Sequence, residues 1–183
     1  MSPQLSVALL HHPVHNRLGE EITSTVDHFD VMDGSRLALT YGLARLFVVN
    51  PVPAQRALVE RLIRHGTPSA DRDEARGDLG RVAWAPDLAT VIAELTSGGT
   101  RPTVVATSAK RATDAIGFAA VRNRLHAGEP MLIVLGKAWG LAPSVIEAAD
   151  LRLAPIDAGT GFNHLSVRSA MAIIVDRLLG TSP

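Results

Sequence analysis

The feature that most constrains this chain is its alternation of short β-branched or aliphatic runs with longer amphipathic patterns. Six runs read as strands: Ser6 to Leu10, Leu46 to Asn50, Arg81 to Ala85, Thr103 to Thr107, Met131 to Gly136 and Leu151 to Ile156. Several are apolar throughout, as expected for strands covered on both faces. Helical patterns between them imply crossover connections, hence a mostly parallel sheet. The 183 residues match about one domain at a prior of ~150 residues. The expectation is an α/β fold in which residues 1–183 form a single domain, with helices on both faces of the sheet.

The helices are legible from their starts and spacing. Pro53 suits a first turn, Leu58, Val59, Leu62 and Ile63 form one stripe, and Gly66 follows it. Pro86 opens the next pattern, with Leu88, Val91, Ile92 and Leu95 as its stripe and Gly98-Gly99 as its stop. From Ser166 to Leu179, Val167, Met171, Ile174, Val175 and Leu178 share a side and predict a packed last helix. Thr67 to Gly80 is polar and reads as a solvated excursion, whereas His11 to Asp33 reads as a long irregular connection of the kind that carries function.

Composition removes whole classes. Lys plus Arg (18) equals Asp plus Glu (18), which argues against a uniformly basic nucleic-acid coat. With no cysteine, thiolate metal sites, disulfides and cysteine nucleophiles are absent and the compartment defaults to the cytoplasm. No apolar stretch approaches the ~20 residues of a membrane span, and no charged segment ahead of Leu5 to Leu10 suggests a signal peptide. Aromatic residues are 4%, which disfavours a surface of stacked rings. Walker, HExxH and GxSxG patterns are missing, and Gly159-Thr160-Gly161 follows the last strand without the third glycine of a dinucleotide fingerprint. His11, His12 and His15 crowd the end of the first strand, but Pro13 between them and the lack of a carboxylate at ligand spacing favour a surface or substrate-facing loop over a metal site.

Chemistry concentrates in three loops after the last three strands, at the edge where parallel sheets bind ligands. They are Thr107-Ser108-Ala109-Lys110, Gly136 to Ala142, and Pro155-Ile156 running to Asn163-His164-Leu165-Ser166. Glycines 136 and 140 let backbone approach a ligand, and amides after Ser166 can donate hydrogen bonds, so the loops could hold a nucleoside by its edges.

Those residues resemble the trefoil-knotted SPOUT class of S-adenosylmethionine-dependent RNA methyltransferases over nearly the whole chain. Gly136 to Leu141, Pro155-Ile156 and Asn163-His164-Leu165-Ser166-Val167 stand where the class has its glycine loop, its Pro-Met and its Leu-Asn-Val-Ser-Val. Arg36-x-Ala38-x-x-x-Gly42 resembles a motif of the SpoU branch. The start Leu-His-His-Pro-Val and the Asn-His-Leu-Ser-Val-Arg-Ser-Ala ending are similar to a small bacterial group of such enzymes. Two departures stand out: the glycine loop is one residue shorter and lacks a Glu, and Met32-Asp33-Gly34-Ser35 replaces the usual Asn-x-Gly.

The resemblance implies a C-terminal trefoil knot, a homodimer, S-adenosylmethionine as cofactor, an RNA substrate, and neither metal nor membrane. It implies Thr107, Ser108, Leu135, Gly136, Trp139, Gly140, Leu141, Pro155, Ile156 and Leu165 as cofactor contacts, and Arg36, Asn163 and Ser166 as the catalytic set. Arg36 would face the knot of the other subunit. Asp33 or Asp30 could serve as base toward a guanine nitrogen, though Asp33 also reads as a helix N-cap; Ser166 reads equally as a cap, and Leu141 as core. From Thr103 onward eight cations face six acids, a balance of +2, and Lys110 and Arg111 are the best placed for RNA phosphates. Two rivals stay open: a non-catalytic cofactor- or RNA-binding knotted module, and an unknotted nucleotide-binding α/β protein.

Overall fold

The computed structural model describes residues 4–66 and 79–181. Its elements are β1 (Leu5–Leu10), β2 (Val14–His15), β3 (Glu21–Ile22), α1 (His28–Tyr41), β4 (Arg45–Val49), α2 (Pro53–Gly66), β5 (Val82–Ala85), α3 (Leu88–Ser97), β6 (Thr103–Ala106), α4 (Phe118–His126), β7 (Met131–Gly136), α5 (Pro143–Ala148), β8 (Leu151–Arg152) and α6 (Val167–Leu179). Of the polar stretch Thr67 to Gly80 expected to be a solvated excursion, residues 67–78 lie outside the described residues, and Leu79–Arg81 form a 3-10 turn leading into β5.

All six expected strands form one parallel sheet in the order β5-β4-β1-β7-β6-β8. Parallel strands carry helices on both faces, so their two side-chain rows must both be apolar. Leu5, Val7 and Leu9 of β1 join Leu46, Val48, Ile133 and Leu135 against α1, α2, α4 and α6. Ala8 and Leu10 join Phe47, Val49, Leu132 and Val134 against α3 and α5. Every residue of β1 is buried, which puts this strand at the centre of both layers.

Two boundaries differ from expectation for physical reasons. The connection after β1 is shorter than the span from His11 to Asp33, because α1 begins at His28. Asp27 caps it by accepting the Phe29 amide at 2.8 Å, and Asp30 completes a capping box by accepting the Asp27 amide at 2.9 Å. Asp33 therefore lies inside α1 and is not its N-cap. At the other end β8 pairs with β6 only through Leu151 and Arg152, since Leu153 bridges to Ile116 and the chain leaves the sheet.

Truncating a side chain shared by the two central strands tests the core. Ile133→Ala, at a fully buried position on β7, is expected to cost about 2–5 kcal/mol. Urea unfolding should show a lower midpoint with an unchanged slope.

Candidate cofactor cavity at the carboxyl edge of the sheet

Strand order reverses beside β1, because the chain runs outward through β4 and β5 before returning to the other side for β6, β7 and β8. Such a switch leaves a crevice past the carboxyl ends of the strands. On the returning side of that switch, past the ends of β6, β7 and β8, lies a cavity of about 550 Å³, a size suited to a small-molecule cofactor. The three loops singled out from the sequence line it: Thr107, Ser108 and Ala109 after β6, Leu135 to Gly140 around the end of β7, and Leu153 to Ile156 after β8. Asn163 to Arg168 close it from the entrance to α6.

The glycine loop is held by backbone. The Lys137 amide donates to the Leu10 carbonyl at 2.9 Å, the Trp139 amide to His15 at 3.1 Å, the Ala142 amide to Pro13 at 3.2 Å, and the His15 amide to Gly140 at 3.1 Å. The histidine-rich segment is thus the rear support of the loop. A Cβ on Gly136 would sit 2.6 Å from the Gly140 carbonyl carbon and closer still to the Leu141 amide nitrogen, so the turn closes only on a residue without a side chain. Ala138 adopts φ 54° within it.

Leu141 is not among the residues that line the cavity. It is buried and packs with Val14 and Val145 behind the loop, in accord with its alternative reading as core. The other nine expected cofactor contacts, with Asn163 and Ser166, do line the cavity. Ser166 also caps α6, its side chain accepting the Ser169 amide at 3.2 Å.

Arg36 is not brought to the cavity within one chain. It lies in an adjoining groove between α1 and α6 with Asp33, Thr40, Tyr41 and Ser169, and Ser166 and Arg168 border both spaces. Arg168 donates to Asp33 at 2.6 Å and stacks over Phe29 at 5.2 Å, whereas the Arg36 guanidinium stands 3.8 Å from the same carboxylate.

A buried charge network behind the cavity was not foreseen. Asp30 is fully buried, with Lys137 Nζ 2.8 Å from Oδ2 and 3.0 Å from Oδ1, and His11 Nε2 3.2 Å from Oδ2. His11, expected on a surface or substrate-facing loop, is fully buried. Burial by itself would raise the Asp30 carboxyl, but hydrogen bonds from His11, Lys137 and the Asp27 amide, with the lysine charge, hold it below the usual carboxylate range. With these partners and no access to the cavity, Asp30 is not placed to act as a base on substrate. Only Lys137 in the glycine loop hinted at the network, and a partner 107 residues away cannot be read from local pattern. Among the described residues no cluster of three metal-ligating side chains occurs.

The segment after β8 is tied back over the loop after β6. The Ile116 amide donates to Arg152 and the Ala154 amide to Ile116, both at 2.8 Å, and Asn163 Nδ2 donates to the Ala109 carbonyl at 2.6 Å. Arg111, expected to contact RNA, pairs with Asp157 at 2.5 Å, so its charge is compensated. Lys110 is exposed.

Comparison with known proteins fits this geometry. A family model described as SAM-dependent RNA methyltransferase matches residues 4–180. Two proteins named tRNA (guanine-N(1)-)-methyltransferase, from Oleidesulfovibrio alaskensis and Nitratidesulfovibrio vulgaris, are 41% and 40% identical over 96% of this chain. The chain spans only 42% of the length of each. An uncharacterised Aquifex aeolicus protein is 32% identical, with 94% of this chain matching 86% of it. The fold matches the SpoU methyltransferase AviRb of Streptomyces viridochromogenes, solved with AdoMet, at TM-score 0.63 and 15% identity, covering 98% of this chain and 58% of that one. It also matches the Aquifex aeolicus TrmH/SpoU tRNA modifying enzyme at TM-score 0.57 and 16% identity, covering 98% and 75%.

Two consequences are measurable. Because the Asp30 carboxyl is lowered in the folded state, its contribution to stability is complete above the ordinary value of 3.8 and is lost as pH falls through the lower folded value. Acid unfolding of Asp30→Asn should therefore show a flatter stability slope below pH ~4 than the parent. Lys137→Met, which leaves Asp30 without its cation, should lower stability by up to about 3–5 kcal/mol, the cost of orphaning one member of a buried pair. Chemical denaturation at neutral pH reads that loss.

Proposed function

The chain belongs to the SAM-dependent RNA methyltransferase family, and from that premise we propose that it transfers a methyl group from S-adenosylmethionine to RNA, with the cofactor held in the cavity at the end of β7. The observation that carries this reading is the lining itself. Leu135, Leu153, Pro155, Ile156 and Ile174 offer an apolar slot, and the tight Gly136 turn brings backbone to its edge. The two cations on the lining, Lys137 and Arg168, are already matched by Asp30 and Asp33. That balance suits a ligand with a sulfonium charge and disfavours the polyphosphate of an ordinary nucleotide.

S-adenosylmethionine supplies a methyl group on a sulfonium, a good leaving group, so the protein's part is positioning more than covalent chemistry. Gly136 to Gly140 and Pro155-Ile156 hold and orient the cofactor, chiefly through backbone and apolar contact. Leu135, Leu153 and Ile174 exclude water from its apolar part. Thr107, Ser108, Trp139 and Leu165 complete the contacts. Asn163 and Ser166 orient the acceptor, and Arg36 binds its phosphate or steadies the nucleophilic oxygen. Because Arg36 adjoins the cavity without entering it, this role favours a homodimer in which it serves the partner's cavity. The hydrogen bonds that tie residues 152–163 back onto 109–116 support a threaded, knotted C-terminus. A cytoplasmic location follows from an RNA substrate, and among the described residues no helix is long and apolar enough to cross a membrane.

A ribose hydroxyl is the first acceptor reading, supported by the Arg36-x-Ala38-x-x-x-Gly42 resemblance to the SpoU branch. Guanine N1 is the second reading, favoured by the names of the two relatives.

Calorimetric titration with S-adenosylmethionine and S-adenosylhomocysteine is expected to give micromolar binding that Ala154→Trp, which fills the cavity, abolishes. Tritium transfer to pooled tRNA and rRNA, followed by nuclease digestion and chromatography, separates ribose from base products. Arg36→Ala should lose at least about tenfold in kcat, equivalent to about 1.4 kcal/mol, at unchanged cofactor affinity. A folded protein that binds neither ligand overturns the reading. Binding without methylation of any RNA would make the chain a cofactor-binding module.

A further inference from the structure

The chain has only four Phe, two Trp and one Tyr, yet two of these seven rings stand exposed at the mouth of one cavity. Trp139 is 52% exposed and Phe162 71%. His164 lies between them, its ring centroid 5.9 Å from Trp139 and 5.6 Å from Phe162, in edge-to-face arrangements at 64° and 63°. Leu165, 46% exposed, extends the apolar patch beside them. Edge-to-face packing fixes each ring while leaving flat faces uncovered.

The presentation of Phe162 is built. The Gly159 amide donates to Asp157 Oδ1 at 2.7 Å, and Thr160 Oγ1 donates to the Phe162 carbonyl at 3.1 Å. Gly159 and Gly161 take φ of 74° and 80°, which lets the strap turn twice. Asp157 is anchored by Arg111, and Asn163 by the Ala109 carbonyl. Exposing a phenyl group on a loop held at both ends forgoes burial worth having, and such patches mark interaction sites. Lys110, next in sequence to the Ala109 anchor, is exposed.

We propose that Trp139, His164 and Phe162 form a stacking clamp for an unpaired nucleobase, so that the substrate is a single-stranded or looped-out nucleotide and not one inside a duplex. Exposed flat π-faces are the elements on which proteins stack single-stranded bases without reading sequence. A duplex keeps its bases stacked on each other and offers these rings nothing. The inference rests on RNA being the substrate and goes further by fixing the state of the target nucleotide.

Trp84→Phe leaves Trp139 as the sole tryptophan, and its fluorescence reports the clamp directly. Titration with a single-stranded 12-nucleotide oligoadenylate should quench that signal, and a 12-base-pair RNA duplex should not. Phe162→Ala, in a residue that does not line the cofactor cavity, should weaken oligoadenylate binding by about fivefold or more, the low end for one lost base stack. Its affinity for S-adenosylmethionine should be unchanged. Equal quenching by duplex and single strand, or unaltered binding by Phe162→Ala, overturns the clamp. So does sedimentation showing that Phe162→Ala disrupts a dimer while RNA affinity stays intact, since the rings would then be covered by a second copy. Quenching by oligoadenylate in a protein that fails to bind S-adenosylmethionine would sink the methyl-transfer reading and leave the clamp standing.

Discussion

A carboxylate closed off from solvent organises this molecule. Asp30 reaches His11 at the end of β1, Lys137 at the end of β7, and the amide of Asp27 at the start of its own helix. Each contact comes from a different element, so one buried anion fixes how α1 sits on the two central strands. Without partners it would be neutralised or excluded, because an isolated charge in a dry interior costs far more than a fold can supply. The glycine loop therefore takes its position from two sides. Backbone bonds to residues 10–15 hold it from behind, and its own lysine is drawn toward α1.

This arrangement explains why the loop can be rigid though built on glycines. Gly136 is forced by the near contact with Gly140 and Leu141, and Gly140 by a φ of 114°. Flexible residues give a precise turn when their neighbours leave one conformation available. A precise turn is what alignment of a small cofactor requires, since an error of an ångström in the reacting geometry removes much of the advantage of positioning. The wall that faces solvent is different in kind. There the strap bearing Phe162 and His164 is pinned at Asp157 and Asn163 while its rings stay exposed. The rear of the cavity is specified by buried polar contacts, and the front presents exposed rings to solvent.

Local pattern reached as far as local physics does. All six strands were legible because a parallel sheet demands apolar runs, and α2, α3 and α6 because their stripes repeat at the helical period. The three loops at the carboxyl edge were legible because their position follows from strand order and their glycines from close approach. What failed depends on distant partners. His11 looked like a surface residue, since nothing near it in sequence announces an aspartate in the next helix and a lysine over a hundred residues on. Asp33 looked like a cap because the true cap, Asp27, precedes a turn without a strong apolar stripe. The low aromatic content argued against ring stacking, yet an average over 183 residues is silent about where a few rings collect.

The division of charge between the two helices at the cavity ties these points to chemistry. Asp30 and Asp33 lie three residues apart on α1, and each takes one cation from the cavity lining: Lys137 from the glycine loop and Arg168 from α6. One pair is sheltered and the other half-exposed, so solvent screens the second far more than the first. The groove that holds Arg36 begins at that second pair. There the Asp33 carboxylate holds Arg168 at 2.6 Å and has Arg36 at 3.8 Å. On the cavity side each lining cation faces a carboxylate of α1. Two adjacent spaces thus differ in charge through a spacing of three residues on one helix, the cavity bordered by a sheltered pair and the groove by a carboxylate that two guanidiniums share.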